Sequence, residues 1–337
     1  MKKQFLVVTV PVTNLRKEPV EASAEYVCDD LQETQLLYNE CLCYKDENED
    51  WYYVEAVEQQ KSTSQSYPGW ILKTSAMSID LRPAFNAVIK HAQAIILKDP
   101  LEKAESLFTL SIGTRLAIED GGNNDYYKTT LTDGRKSWIR KDDVNIPAPG
   151  MEIGSLRKNI IETTKLFLGM PYLWGGRSGC VPQVTGHRSQ VTGKSMYKPR
   201  TLNIEPSATT PEDRLRTVVT GVDCSSLTNL AYRVNWLDIP RDAHDQWSAS
   251  TEIVYDVLEP ADLIFVSTEE AHDKITHVMM YLAGEEFIEA LETGSVVTIN
   301  TFKNKFGVTL RDAAQQGFII NKRKMYFGSL LIAGGKK

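Results

Sequence analysis

The sequence predicts an α+β chain in which two small all-β modules precede a mixed domain. Three observations predict it. Alternating hydrophobicity, broken by turn residues, runs from the N-terminus to about residue 145 and then stops. A segment with two prolines and two glycines, NIPAPGMEIG (145–154), follows as a linker. Beyond it, helical spacing appears in two stretches before alternation returns.

The first module takes residues 1–80. Its start, MKKQFLVVTVPVTNL, alternates like a strand, and its apolar run is short and is cut by Pro11, so it reads as the first strand rather than a secretory leader. QLLYNECLCYKDENEDWYYVEAV alternates, turns at KDENED and alternates again, and YPGWIL adds a turn and a strand. The second module, 81–148, repeats the plan with a Gly-Asn turn, an Asp-Gly turn and a final strand, KSWIR, that matches PGWIL of the first. Both are expected to be small barrels.

The third domain takes residues 149–337. SLRKNIIETTKLFLGM reads as a helix and PYLWGGRSG as a turn with aromatic anchors. A polar stretch from 180 to 220 is longer than a compact domain's usual loop and is expected to be an insertion. GVDCSSLTNLAYRVNW then opens a second helix, with Leu227, Leu230, Ala231, Val234 and Leu237 on one apolar stripe and Cys224 off that stripe at the helix start.

A cysteine there gains acidity from the helix dipole, which predicts a lowered thiol pKa. KITHVMMYLAGEEFIEAL reads as a hairpin turning at Leu282–Gly284, with Ile275, His277, Met279 and Tyr281 on one face. That register sets Tyr281 opposite Glu285 and His277 opposite Glu289, and a carboxylate there would orient the imidazole and favour its protonated form. Cys224, His277 and Glu289 are thus candidates for nucleophile, general base and orienting group.

Composition excludes several classes. Hydrophobic content of 42% and charged content of 24% are those of an ordinary globular protein. The net charge of −6, without a basic cluster, argues against a nucleic-acid partner. No apolar run reaches the roughly 18 residues of a membrane span. The five cysteines, Cys28, Cys41, Cys43, Cys180 and Cys224, are odd in number and suit a reducing compartment, so a cytoplasmic location is expected. The acids Glu269, Glu270 and Asp273 and His272 lack metal-ligand spacing.

Residues 150–337 resemble the NlpC-type papain-like cysteine peptidases of bacterial cell walls. PYLWGGRSG resembles that family's Tyr-x-Trp-Gly-Gly turn, GVDCSSL its Asp-Cys-Ser-Gly segment and IPRDAHDQ its Pro-Arg-Asp segment; PADLIF and ITHVMMYL follow in the family's order. The two modules in front resemble bacterial SH3-like domains, which narrows the resemblance to the YkfC-like γ-D-glutamyl-L-diamino-acid endopeptidases. The sequence departs from the family at Ser226 and Ala261, where glycine is usual, and at Glu289, where histidine is common.

The resemblance implies a papain-like domain and no cofactor. It implies hydrolysis of the γ-D-Glu–diamino-acid bond in peptides that begin with a free L-Ala. It assigns Asp223 to the substrate amine and Tyr172 and Trp174 to the pocket wall, with Ser225, Arg241 and Asp242 nearby. It expects a glutamate and a tyrosine from the first module, best matched by Glu40 and Tyr67. A wall-remodelling hydrolase acting on intact peptidoglycan, or a non-catalytic peptidoglycan-binding protein, are the alternatives.

Overall fold

The computed structural model describes residues 5–21, 29–62, 65–123, 125–179 and 218–331. Cys28, Cys180 and most of the 180–220 insertion lie outside them. The alternating N-terminal segments form antiparallel sheets. The first is seven-stranded, in the order Gln32–Leu37, Val12–Arg16, Gln65–Leu72, Trp51–Ser62, Cys41–Asn48, Phe5–Val8, Ala76–Ile79. The second module holds a five-stranded sheet (Ser106–Ser111, Gln93–Leu97, Lys136–Arg140, Tyr126–Thr130, Ile118–Asn123) and a three-stranded one (Arg115–Leu116, Ala87–Ile89, Val144–Asn145).

The internal repeat is visible here. Each Trp-Ile strand runs into a one-turn 3-10 helix, Lys73–Ser75 or Lys141–Asp143, and then a short strand. Among the described residues no ladder closes either module into a continuous barrel; the sheets run as open paths.

The third domain places helix α1 (Ile153–Lys165) and helix α2 (Cys224–Val234) against an antiparallel sheet. The sheet runs Thr251–Glu252, Arg323–Ser329, Leu263–Ser267, Ile275–Ala283, Glu286–Glu289, Thr298–Thr301. Helix α3 (Ala243–Ala249) follows α2, and the short helices α4 (Phe302–Phe306) and α5 (Leu310–Gln315) cover the other sheet face.

The stripe predicted for α2 is buried, but so is everything else on the helix: all eleven residues are buried, and Cys224 belongs to the same apolar cluster as Leu227 and Ala231. The polar side faces the N-terminal modules, and ionic contacts satisfy it. Arg233 reaches Glu58 at 2.6 Å and donates to the Gly113 carbonyl at 2.8 Å, so one side chain touches both modules. Arg177, from the turn before the insertion, donates to Asn229 on α2 and pairs with Glu40 at 2.7 Å, and Glu40 also faces Arg233 at 3.6 Å. Burial pushes the Glu40 carboxyl up, yet the two guanidiniums more than reverse this and leave it below its ordinary value.

Three successive residues tie the modules together apolarly. Leu36 lies in the core of the first module, Leu37 in the cluster around α2, and Tyr38 in the core of the second.

Taking one partner from a buried ionic network strands the others. Glu40→Gln removes the charge between Arg177 and Arg233 and is expected to lower unfolding free energy by about 3–5 kcal/mol. The depressed carboxyl contributes stability that is present above its unfolded pKa and lost as pH falls through the folded one, so the variant should also lose part of its acid sensitivity near pH 4. Urea unfolding between pH 4 and 7 reads both effects.

Candidate functional site

The glycines of the Tyr-Leu-Trp-Gly-Gly turn have a steric reason. Gly175 adopts φ +64°, and a β-carbon there would lie 2.9 Å from the Gln32 carbonyl. At Gly176 it would lie 2.6 Å from the Gly221 carbonyl. The turn therefore passes between the first module and the approach to α2, and Gln32 donates to the Trp174 carbonyl at 2.8 Å. Gln35 clasps both ends of the insertion: its carbonyl accepts from Arg177 N–H and Ser178 Oγ, and its amide donates to the Val219 carbonyl at 2.7 Å. Tyr172 is half-buried against the α2 cluster, while Trp174 stands 47% exposed.

Asp223 is the N-cap of α2. Its Oδ1 accepts from Ser226 N–H at 2.8 Å, and Ser226 Oγ accepts from the Asp223 N–H, a reciprocal cap that explains why serine serves in place of glycine here. Both carboxylate oxygens also receive Arg241, at 3.0 and 2.6 Å, and Arg241 donates to Ser225 Oγ. The Asp223 carboxylate is thus held by the helix start and by Arg241 while its side chain stays 11% exposed, and any role toward a substrate amine would be played from this fixed position. Ala261, the other glycine replacement, takes a left-handed φ of 74°, which a small side chain tolerates best.

The expectation for Glu40 is corrected. The residue is buried between Arg177, Arg233 and Gln59 and lines no open surface. The acidic residue that faces the site from the first module is Glu33. Tyr67 Oη lies 3.0 Å from Glu33 and 3.1 Å from Asp242 at the start of α3, so two carboxylates meet on one hydroxyl. A phenol has one proton and can satisfy only one of them. Burial raises the Asp242 carboxyl, and Arg241 partly offsets this. Burial and Asp242 raise the Tyr67 phenol far above its ordinary value, so it stays a donor. Sequence reasoning missed Glu33 because its strand alternation shows only which residues share a face, not which meets α3.

The thiol also departs from expectation. Burial, then the adjacent Asp223 charge, push Cys224 up to about 12; contacts with the backbone of Val278 and with Arg241 only partly oppose them. The helix dipole is outweighed because its N-terminal donors already hold a carboxylate. The contact to Val278 sets the sulfur against the strand of His277, one residue away.

The hairpin register differs from that predicted. Tyr281 pairs with Phe287 and Met280 with Ile288, the turn is Gly284–Glu285, and an irregularity falls between Tyr281 and Ala283. A second bulge opposite Val266 and Ser267 sends Ile275 into the α2 core, away from Met279 and Tyr281. His277 and Glu289 are diagonal rather than directly opposed, and they still meet, Nε2 to Oε2 at 2.8 Å.

A residue the sequence did not single out completes this group: Lys305 of α4 pairs with the same Glu289 oxygen. Burial alone would raise the Glu289 carboxyl, but His277 and Lys305 hold it below its ordinary value. His277 is lowered, chiefly by burial; Glu289 opposes this, and Lys305 and Arg323 reinforce it. The imidazole is therefore neutral at rest, against the expectation that the carboxylate would keep it protonated. With Nε2–H donating to Glu289, Nδ1 is left as the basic nitrogen.

Residues 169–309 match the NlpC/P60 family. A Bacillus subtilis (strain 168) protein named gamma-D-glutamyl-L-lysine dipeptidyl-peptidase is 26% identical over 275 residues, 81% of this chain and 77% of that protein. A Bacillus cereus (strain ATCC 10987 / NRS 248) protein of the same name is 26% identical over 286 residues, 80% of this chain and 71% of that one. The crystal structure of an NlpC/P60 family protein from Bacillus cereus ATCC 10987 has a TM-score of 0.67 at 22% identity, covering 88% of this chain and 94% of that chain, which establishes a shared fold.

A thiol raised to about 12 is mostly protonated at neutral pH. In the substrate-free protein, alkylation of Cys224 by iodoacetamide is expected to be slower than that of free cysteine at pH 7 and to keep rising through pH 9. Mass mapping of the labelled peptide over pH 5–10 measures this. A plateau below pH 7 would instead indicate a stored thiolate.

Proposed function

We propose that this chain is a cysteine endopeptidase of the NlpC/P60 family, cutting the γ-D-glutamyl–L-diamino-acid bond of peptidoglycan stem peptides whose N-terminal L-Ala amine is free. The names of the two Bacillus relatives support the bond. The observation that carries the requirement for a free amine is the Glu33–Tyr67–Asp242 cluster, where two carboxylates share one hydroxyl donor. The cation beside Glu33, Lys17, stands off at 3.6 Å and is half exposed, so a substrate ammonium would bring closer donors and positive charge to the two carboxylates. The cluster sits one residue from Arg241, whose guanidinium holds both neighbours of Cys224, so an anchored amine is presented to the thiol at a fixed offset.

In the proposed reaction His277 Nδ1 takes the Cys224 proton as the sulfur attacks the γ-carbonyl carbon of D-Glu. The oxyanion that forms is met by the backbone N–H of Cys224. The C–N bond breaks as His277 returns the proton to the leaving amine, and a thioester remains. Water, deprotonated by His277, then attacks the thioester, releasing L-Ala-γ-D-Glu and restoring the thiol. Glu289 holds the ring throughout by accepting from Nε2–H. Tyr172 and Trp174 wall the pocket. Peptides with a free L-Ala have already left the glycan, which suits recycling in the cytoplasm.

The deciding experiment is a digest of L-Ala-γ-D-Glu-L-Lys and its diaminopimelate analogue, with products identified by mass. L-Ala-γ-D-Glu plus the free diamino acid is expected. Cys224→Ala should abolish turnover while keeping the wild-type circular dichroism spectrum. N-acetylating the L-Ala should lower kcat/KM by about 100-fold, since a charge-assisted hydrogen bond is worth about 1.5–3 kcal/mol and each 1.4 kcal/mol is tenfold. Asp242→Asn should weaken the free peptide and leave the acetylated one little changed. Equal rates on free and acetylated peptides would remove the amine-reading role, and activity on intact sacculi alone would favour a wall hydrolase.

A further inference from the structure

Glu289 is a full charge at a place where the sequence's resemblance leads one to expect a neutral histidine, and it is completely buried. An isolated carboxylate in that position would have to borrow a proton or a counter-charge from its neighbours. The strand Glu286–Glu289 supplies none. The counter-charge comes from α4, whose Lys305 side chain is 15% exposed and lies along the rings of Phe287 and Phe306, 5.9 and 5.6 Å from their centroids. Those rings fix the direction of the lysine, and its ammonium lands on Oε2, the same oxygen that accepts from His277. Glu289 Oε1 is buried without a hydrogen-bond partner, so the carboxylate concentrates its interactions on one oxygen shared between a cation and the ring.

We propose that Lys305 is a positioning residue for His277: its ammonium cancels the charge of Glu289, so the carboxylate orients the imidazole as an acceptor without turning it into a standing imidazolium. The group is then Lys⁺–Glu⁻–His⁰, the electrical equivalent of a neutral third residue. The other groups facing His277 are few. Arg323 acts from the strand beyond Leu263–Ser267, the Cys224 thiol meets the backbone of the adjacent Val278, and His244 of α3 reaches the backbone N–H of Ile275, two residues before His277. The strand on the far side of Glu289 pairs it with the uncharged Thr298. Lys305 is the cation among these in contact with Glu289.

This inference rests on the reading of Cys224 and His277 as a thiol–imidazole pair, and its test does not depend on the substrate. The titration of the His277 imidazole is followed by NMR of histidine-labelled protein from pH 4 to 9 in the wild type, Lys305→Met, Glu289→Gln and the double variant, with thermal melts as a check on folding. Removing a positive charge raises the pKa of every nearby group, so Lys305→Met should move the imidazole midpoint up by about 1–2 pH units. Glu289→Gln leaves the cation alone and should move it down. The double variant should return close to wild type, and Lys305→Arg should resemble wild type. Opposite shifts that cancel require electrical coupling; a packing role alone would lower stability without them. Should Lys305→Met not fold, Lys305→Gln replaces it with the same upward shift expected.

The proposal is overturned if Lys305→Met folds and leaves the imidazole midpoint unmoved, or if both single variants shift it the same way. Opposite, cancelling shifts in the variants of a wild-type protein that fails to cleave the peptides would instead count against the assigned substrate.

Discussion

The complete burial of α2 is the constraint from which the site follows. A helix carrying Asn229 and Arg233 opposite its apolar stripe can be enclosed only if those groups find partners. The first module supplies Glu40 and Glu58, and the second supplies the Gly113 carbonyl. Arg177 and Arg241 extend the same system to the turn before the insertion and to Asp223 and Ser225 on either side of the cysteine. Three guanidiniums thus fix where the sulfur sits. Such networks are costly to desolvate and are weak evidence for stability as such. Their contribution here is positional, since each arginine has one arrangement that leaves its partners satisfied.

Enclosure also sets the electrostatics. A thiol at a helix start is ordinarily acidified, but here the N-cap carboxylate occupies the helix donors and burial disfavours the thiolate. The imidazole is neutral for a similar reason. The resting site therefore stores no thiolate–imidazolium pair, and in the proposed reaction charge separates between these two groups only as the sulfur attacks. Proposed chemistry of this kind would depend on accurate placement of the base and on a substrate held at a defined offset, the role proposed for the arginine network and for the Glu33–Tyr67–Asp242 cluster between the first module and α3.

How legible this was in the sequence depended on range. The strands, the tandem repeat, α1 and the start of α2 are local patterns and were readable from alternation, turn residues and helical spacing. The pairing of His277 with Glu289 was inferred through a register that the structure shifts; it survives because diagonal neighbours across a hairpin still touch. Glu40 and Glu33 lie on the same module, and their sequence neighbourhoods do not tell which meets α3 and which is sealed beneath Arg177. Asp223 carried a family role in the sequence reading, and its capture by Arg241 appears only in three dimensions. Lys305 had no signal, because α4 is too short to show periodicity and its contact to Glu289 spans a further strand.

Leu36, Leu37 and Tyr38 give the architecture a property that a string of separable modules lacks. Alternation along a strand normally sorts residues between two environments; here the strand's end and the residue after it serve three. A slip of one position would misplace all three side chains at once. The modules are consequently poor units for exchange. A foreign first module spliced onto this chain would have to bring its own leucine for α2 and its own aromatic for the second module, in adjacent positions. Recombination should then favour inheritance of the three parts as one block, with change admitted more readily at loops far from this junction.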